Sequence, residues 1–515
     1  MAMLQPLTNN SRKSPVSNSV STPAPVKGWN AKDALADMSP DFAVTLDNMF
    51  PDLTDVALRS GSASHSTGNG TGAVETLAEW SGPSTSKLIS AAGSVIYDSS
   101  AAGGSTSIAT GKSNARWQTT MFTTAGGSFL YMVNGADAPI YYNGSAFVTP
   151  SLAGVTAADI IHVCAHQSRL FFTFKDSLIF GYLAVNGVAG TVSTFSIGGL
   201  CKKGGYLVAC GSWTRDGGSG PDDIFVAITS EGECILYSGI DPSAAASWVL
   251  VGVFSLGRPI GRRCLEKVGS EIIVTTQDGA VPLSIFLPID QVGAKSKALS
   301  DNIQNDFITS ARTYGTNFGW QSLHYPQGSY ALFNIPISAT TAYQYIVNTQ
   351  TGAWSRFTGQ NAACWALFKG NLYFGGQGGG IIYKADTGVN DNGVNIDYIV
   401  KPAFNYFGKR GVNKLFTLCR PHFTSNGSPA IAIDLNVDFS DINPTSIPSS
   451  STLNGGVWDV SRWDAANWTD SASIADWITV YGLGDCSTPT IRGSENALSI
   501  RFSAYDMIWQ VGNSL

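Results

Sequence analysis

The chain is short of the groups that carry chemistry. Its 515 residues include five histidines, His65, His162, His166, His324 and His422, and 13% charged residues, against about a quarter in an average protein. No two histidines stand at a zinc-protease spacing. His162 and His166 frame the sequence HVCAH, but ligands four apart need a helix, and strand-like neighbours place both on one sheet face as structural histidines. No G-x-S-x-G elbow occurs, since Ser219 in GGSGP fails at the last glycine, and there is no Walker loop. Gly375 to Gly380 joins two strands, so it reads as a hairpin turn and not as a phosphate cradle. GVNDNGVNID, residues 388–397, resembles a calcium loop, but Gly388 holds the first ligand position and Ile399 the last. The expectation is a protein that is not an enzyme and that uses no cofactor and no metal.

Other shortages bound the compartment and the partners. The eight cysteines, Cys164, Cys201, Cys210, Cys234, Cys264, Cys364, Cys419 and Cys486, form no CxxC pair. They sit singly in apolar strands and read as reduced core residues. No stretch approaches the roughly 20 apolar residues of a membrane span, so no membrane-spanning segment is expected. Residues 1–27 lack the apolar core of a secretory signal and read as a disordered tail. A formal net charge of −6 argues against a surface built to grip nucleic acid, because that affinity comes from Lys and Arg releasing counterions. The small basic clusters, Lys202-Lys203, Arg258 with Arg262-Arg263, and Lys409-Arg410 with Lys414, read as solvated turns or subunit contacts.

What the chain has in abundance is glycine, 56 residues, and a recurring hairpin. An aliphatic-aromatic pair follows a tight turn at Ile96-Tyr97, Ile140-Tyr141, Ile179-Phe180, Leu236-Tyr237, Ile285-Phe286 and Ile382-Tyr383, each time after an apolar strand such as FLYMV or LFFTF. A further hairpin, AYQYIVNTQTGAWSRF, turns at Thr351-Gly352. A period of about 40 to 50 residues built from hairpins is the mark of a β-propeller, of six or seven blades, each burying a face against the next. A large β-sandwich with many hairpins is the alternative.

Four regions follow. After the tail, residues 28–76 form a docking or platform segment, with a short helix from Pro40 to Met49 capped by Ser39. Phe42, Leu46, Met49 and Phe50 share one face of that helix, and Val56 begins a strand. The Gly/Ser/Thr-rich stretch from Ser60 to Gly72 reads as a loop or linker. The propeller occupies residues 77–389, interrupted by a second short helix over 301–311, capped by Ser300 and covering a sheet edge. Residues 390–515 form a separate C-terminal β-domain. In it Ile431, Ile433, Leu435, Val437 and Phe439 alternate with polar residues, and a change of parity implies a bulge near Ala504.

Two stretches carry a resemblance. One is residues 28–61: Gly28-Trp29-Asn30, Met38, Pro40, Ala43, Asp47-Asn48, Phe50-Pro51, Val56, Leu58-Arg59 and Gly61. The other is the run of Trp458-Asp459, Trp463-Asp464 and Trp468. With the hairpins between them they resemble the tail nozzle family of short-tailed bacteriophages, also called tail tubular protein B, with the packaged-DNA stabilisation proteins as relatives. The resemblance implies a structural virion protein in the viral tail, assembled in the host bacterial cytoplasm. It implies a homohexamer below the portal and the head-to-tail adaptor ring, beside other tail or fibre proteins, that retains double-stranded DNA and conducts it without sequence-specific binding. It offers no catalytic residue. Subunit or docking contacts are expected from Trp29, Phe42, Leu46, Phe50, Trp458, Trp463 and Trp468, since buried aromatic anchors dominate interfaces.

Two other classes stay open. A glycan- or receptor-binding propeller is suggested by the aromatic turns at 318–321 and 351–355. A propeller hydrolase would need carboxylates converging on the central tunnel.

Overall fold

Strands that read as unbroken apolar runs are strands with both faces covered, and that property organises the molecule. The computed structural model describes residues 17–214, 223–286, 298–444, 452, 453 and 472–511. It is mainly β, built of many small antiparallel sheets, with one α-helix among the described residues. No described helix is long and apolar enough to cross a membrane.

Seven sheets follow one another along the chain. The first holds Val74–Ser81, Ser86–Ala92, Val95–Asp98 and Thr106–Ala109. The second holds Gln118–Thr124, Gly127–Val133, Ile140–Tyr142 and Phe147–Val148, and the third Ile160–His166, Arg169–Phe174, Ile179–Tyr182 and Ser193–Ser196. The fourth holds Leu207–Thr214, Asp223–Thr229, Glu233–Gly239 and Trp248–Ser255, and the three-stranded fifth Leu265–Val268, Glu271–Thr276 and Gly279–Pro282. The sixth holds Gln321–Tyr325, Tyr330–Pro336, Ala342–Asn348 and Trp354–Phe357. The seventh holds Ala362–Phe368, Asn371–Gly376 and Ile382–Ala385, to which Ser62–Thr67 adds a fourth strand from the other end of the chain. The Ile285-Phe286 pair departs from the hairpin pattern: it lies in a 3-10 turn, Leu283–Phe286, and the strand after Asp278-Gly279 is Gly279–Pro282.

Neighbouring sheets share cores. Phe171 faces the fourth sheet, packing on Phe225 and Trp248, while Phe172 faces the second, packing on Tyr131. Successive side chains of a strand point to opposite faces, so LFFTF serves two cores at once. The same division recurs between the first and second sheets, through Trp80, Trp117 and Tyr142, and between the sixth and seventh, through Tyr330, Trp365 and Phe374. A further core joins the seventh sheet to the first, through Cys364, Phe368, Val74 and Leu88. The first strand of each sheet contacts the first strand of the next, and Ala362–Phe368 contacts Val74–Ser81.

The chain ends build two larger sheets. The sixth sheet continues through Ala43–Asp47, Ile396–Pro402, Ser487–Glu495 and Ile431–Val437 into eight strands. A seven-stranded sheet combines Ser17–Pro23, Met49–Pro51 and Val56–Leu58 with Lys414–Ser425, Ala472–Ile474, Ile478–Gly484 and Ile500–Val511. Residues 17–23 are therefore a strand and not part of a disordered tail. Residues 390–511 do not stand apart either, because they share sheets and one core with residues 24–58 and 320–354. The bulge near Ala504 falls at Ser503, where the pairing with Lys414–Ser425 shifts register.

Two helix expectations are corrected. Residues 40–49 form no helix: Ala43–Asp47 and Met49–Pro51 are strands. A ten-residue helix must meet its nucleation cost alone, whereas Ala43–Asp47 gains partners on both sides, Ile396–Pro402 and Trp354–Phe357. The second helix exists as a 3-10 turn, Asp301–Ile303, continuing into Gln304–Tyr314. Ser300 stands at its N-cap position, but its hydroxyl makes no capping bond and accepts the Ala280 amide at 3.1 Å instead. The helix covers a sheet face and not an edge, with Phe307 on Phe333 and Tyr345 of the sixth sheet.

Candidate functional site: the N-terminal junction and the central arginine pocket

The residues expected to dock a partner are mostly docked within their own chain. Trp29 is 4% exposed and Leu46 is 1% exposed. With the helix replaced by a strand, Leu46 turns into the core shared by the chain ends, and Trp29 packs edge-on against Tyr345 at 5.2 Å. Neither is a surface anchor. Phe42 and Phe50 are half-buried, Phe42 under the Lys27 ammonium and Phe50 against Tyr330. Trp458, Trp463 and Trp468 lie outside the described residues.

Residues 28–61 act as a clasp. Gly28 has φ +79°, and a Cβ there would stand 2.4 Å from the Trp354 carbonyl oxygen. Gly61 presses on Asn390 so closely that a Cβ would meet its carbonyl at 1.9 Å. Asp47 accepts two hydrogen bonds from Arg356, at 2.8 and 2.7 Å. Asn48 donates to Thr358 and to the Asp397 carbonyl, and accepts from Arg59 Nε at 2.8 Å. The buried Arg59 guanidinium also donates to the Thr358 and Ser60 carbonyls and forms a two-pronged pair with Asp391. Asp391, the acid in the middle of the calcium-like loop, is thus held by an arginine.

His162 and His166 have hydrogen-bond partners within the chain. His166 Nδ1 lies 2.8 Å from Ser212 Oγ and its Nε2 lies 3.3 Å from the Gly239 carbonyl, while burial lowers its pKa. His162 Nδ1 accepts the Cys210 amide at 3.4 Å. All eight cysteines are unpaired, and burial pushes the Cys264 and Cys364 thiols up to about 12, which keeps them from the reactive thiolate form. Among the described residues no three His, Cys, Asp or Glu side chains converge as a metal site.

The cavity that sequence reasoning passed over sits where the first strands of the sheets meet. Thr76, Gln118, His162, Glu266 and Gln321, each on or beside a different first strand, surround a space of about 170 Å³ with Arg262 and Arg263. It shares Gln118, Arg262 and Arg263 with a larger cavity of about 440 Å³, which has Arg116 and Lys175 in its walls as well and no Asp or Glu among its described lining residues. Phe318 lies between guanidinium groups, 4.5 Å from Arg116 and 5.3 Å from Arg263. Arg263 is held by the Glu75 and Trp117 carbonyls and by Thr76 Oγ1. Arg262 makes one hydrogen bond, to the Asn134 carbonyl at 3.2 Å, and lies over Gly135, where a Cβ would stand 3.1 Å from its Nη1. Burial pushes the Glu266 carboxyl up to about 8, with the His324 amide donating to it. That shift favours the neutral form of Glu266 at neutral pH, and the acid that pairs with an arginine of the larger cavity is Glu75, on Arg116.

The Arg262-Arg263 doublet, expected in a solvated turn or a subunit contact, is half-buried at a bend, with Arg263 donating to main-chain carbonyls. The sequence carries no signal of that setting, since the strand after the doublet, Leu265–Val268, is of mixed polarity. Lys414 is fully buried, donating to the Lys409, Val412 and Asp485 carbonyls.

No protein-family profile and no curated protein sequence matches the chain. Solved structures similar to it include a computationally designed protein, Ika8, at 11% identity over 63% of this chain and 99% of that one, with a TM-score of 0.37. Raptor of Chaetomium thermophilum overlaps at 10% identity over 64% of this chain and 29% of its own, with a TM-score of 0.40. The extracellular domain of a one-component system of B. thetaiotaomicron overlaps at 8% identity over 72% and 55%, with a TM-score of 0.42.

Proposed function

We propose that the seven sheets are the blades of a β-propeller, and that this propeller projects from a platform made by both chain ends in a structural protein of a viral tail nozzle. Six copies would form a ring beneath the portal and adaptor that retains packaged DNA and passes it during ejection, in contact with other tail or fibre proteins. The observation that carries this reading is the clasp of residues 28–61. The stretch with the most specific resemblance to the nozzle family is the one that knits platform to sheets, through Gly28, Asp47, Asn48, Arg59 and Gly61. Such a clasp suits a part whose task is to keep its shape under load. The net charge of −6 suits a lumen along which DNA slides without being held.

The test is particle mass and shape. Light scattering and negative stain of the purified chain should give a six-fold ring of about 330 kDa, six times the 54.3 kDa subunit. A particle that stays monomeric at every concentration, and also beside an adaptor ring, defeats the proposal.

One observation favours a second reading, a glycan- or receptor-binding propeller. A cleft of about 580 Å³ beside the seventh sheet is lined by Asn361, Gln377, Asn392 and Asn395 with Phe374 and Tyr383. Amides beside an aromatic pair are the chemistry of a neutral sugar site, and a glycan panel tests it.

A further inference from the structure

The larger cavity at the end of the central space is electrostatically lopsided. Four cationic side chains, Arg116, Lys175, Arg262 and Arg263, reach it, and no carboxylate is among its described lining residues. Glu75 pairs with Arg116 at 3.0 Å and its charge also acts on Arg263, whereas Arg262 and Lys175 have no ion pair among the described residues. Arg116 and Lys175 are exposed, and the cost of withdrawing an unpaired charge from water falls on the half-buried Arg262 and Arg263. Arg262 is half-buried with one hydrogen bond used, so most of its fork of donors is unspent. A bound anion resolves both facts.

The geometry points to a binding site for a phosphate group carried on a small organic molecule. Phosphate follows from the charge: several cations with no acid in the described lining favour a dianion over a single carboxylate, and the guanidinium fork matches phosphate oxygens two at a time. The organic part follows from the walls. The space of about 440 Å³ far exceeds a lone phosphate, and Phe318 and Trp320 line it together with Gln118 and Asn317. Those side chains suit a sugar or a base, with Phe318 already flanked by two guanidinium groups. Gly135 keeps room for the Arg262 head, since any side chain there would collide with Ile161 and crowd Nη1. The inference is independent of the nozzle reading, because it concerns a single subunit whatever its assembly.

Calorimetric titration of the full chain with inorganic phosphate, glucose 6-phosphate, adenosine 5′-monophosphate, glucose and acetate tests it. Expected are binding of at least one phosphate ester, weaker binding of inorganic phosphate, and none of glucose or acetate. Arg262→Gln and Arg116→Gln should each weaken the ester about tenfold or more, the worth of one charge-assisted contact. Arg410→Gln, at an exposed arginine paired with Asp37, should leave it unchanged. Thermal unfolding without ligand checks that the variants are folded, and Arg262→Lys, which keeps the charge and loses the fork, should bind with intermediate affinity. Failure of every phosphate probe at millimolar concentration overturns the inference, as does equal binding by Arg262→Gln or an equal loss in Arg410→Gln. Equal affinity for inorganic phosphate and the esters overturns the organic half of it.

Discussion

At the residue scale, Glu266 is a half-buried acid in the wall of a cavity. Its carboxyl ionises near 4.3 in an unfolded chain and at about 8 in the folded one. Between those values the folded state holds a proton that the unfolded state has released, so stability falls as pH rises from about 4.5 to 8 and levels off above. Glu266→Gln, which keeps the shape and cannot ionise, should remove that slope. Its melting temperature should match the parent at pH 5 and exceed it at pH 8.5, read by thermal unfolding across pH. Because the side chain opens onto the cavity it lines, solvent there trims the size of the effect and not its sign. A variant with the parent's full pH dependence would mean that Glu266 stays ionised, held by Arg262 and Arg263 in the same cavity. None of this was legible beforehand. Alternation identifies which side chains leave a strand on one face, but a face turned to a central space and a face turned to bulk water give the same pattern. The glycines fared differently: Gly28 and Gly61 belong to the motif that was singled out, and what they add is its physical cause, a backbone pressed against another backbone.

At the element scale, the hairpins were legible because a tight turn between two apolar strands is a local signal. The apolar strand ahead of each turn sits where the alternation puts it, and in the third sheet even the choice of two cores can be read from consecutive phenylalanines. Elements whose partners are remote were not legible. Pro40 to Met49 carries good helix punctuation and becomes strand, because pairing with residues 396–402 and 354–357 outweighs a local preference. Ser60 to Gly72 has the composition of a linker, yet its small polar side chains are the fastening between the seventh and first sheets. Asn69 is fully buried. Its Oδ1 accepts from Ser90 Oγ at 2.9 Å and Ser99 Oγ at 3.0 Å, and its Nδ2 donates to the Gly380 carbonyl at 3.0 Å. Asn69→Ala would remove three buried hydrogen bonds while Ser90, Ser99 and the Gly380 carbonyl each keep one other partner, and the expected loss is about 1–3 kcal/mol. Urea unfolding measures it, with the exposed Ala63→Ser as the control expected within about 0.5 kcal/mol of the parent. A cost below that of the control would make the serine-rich stretch a passive linker after all.

At the scale of the whole molecule, the two ends of the chain meet in one sheet, and that pairing is the part a sequence conceals best. Ser17–Pro23 lies against Ile500–Val511 in register from Ser17 opposite Gln510 to Pro23 opposite Ala504. Contacts so far apart along the chain leave no local trace. The two partners carry different weights. Ile500–Val511 lies inside the sheet, paired with Lys414–Ser425 on one side and with Val56–Leu58 and Ser17–Pro23 on the other, and it buries Phe502, Tyr505, Met507 and Trp509. At about 1.5–3 kcal/mol for each large apolar side chain, those four rival the about 5–15 kcal/mol that holds a whole domain together. Ser17–Pro23 is an edge with alternate residues exposed and Thr22 its one buried side chain. A chain ending at residue 499 should therefore lose the platform core, seen as collapse of near-ultraviolet circular dichroism and rapid proteolysis of residues 396–499. A chain starting at residue 24 should keep its dichroism and melt only a few degrees lower. If instead the chain ending at 499 kept the parent's spectrum and melting temperature, the seven-stranded sheet would not be a cooperative core, and the clasp of residues 28–61 would have to hold the two halves together by itself.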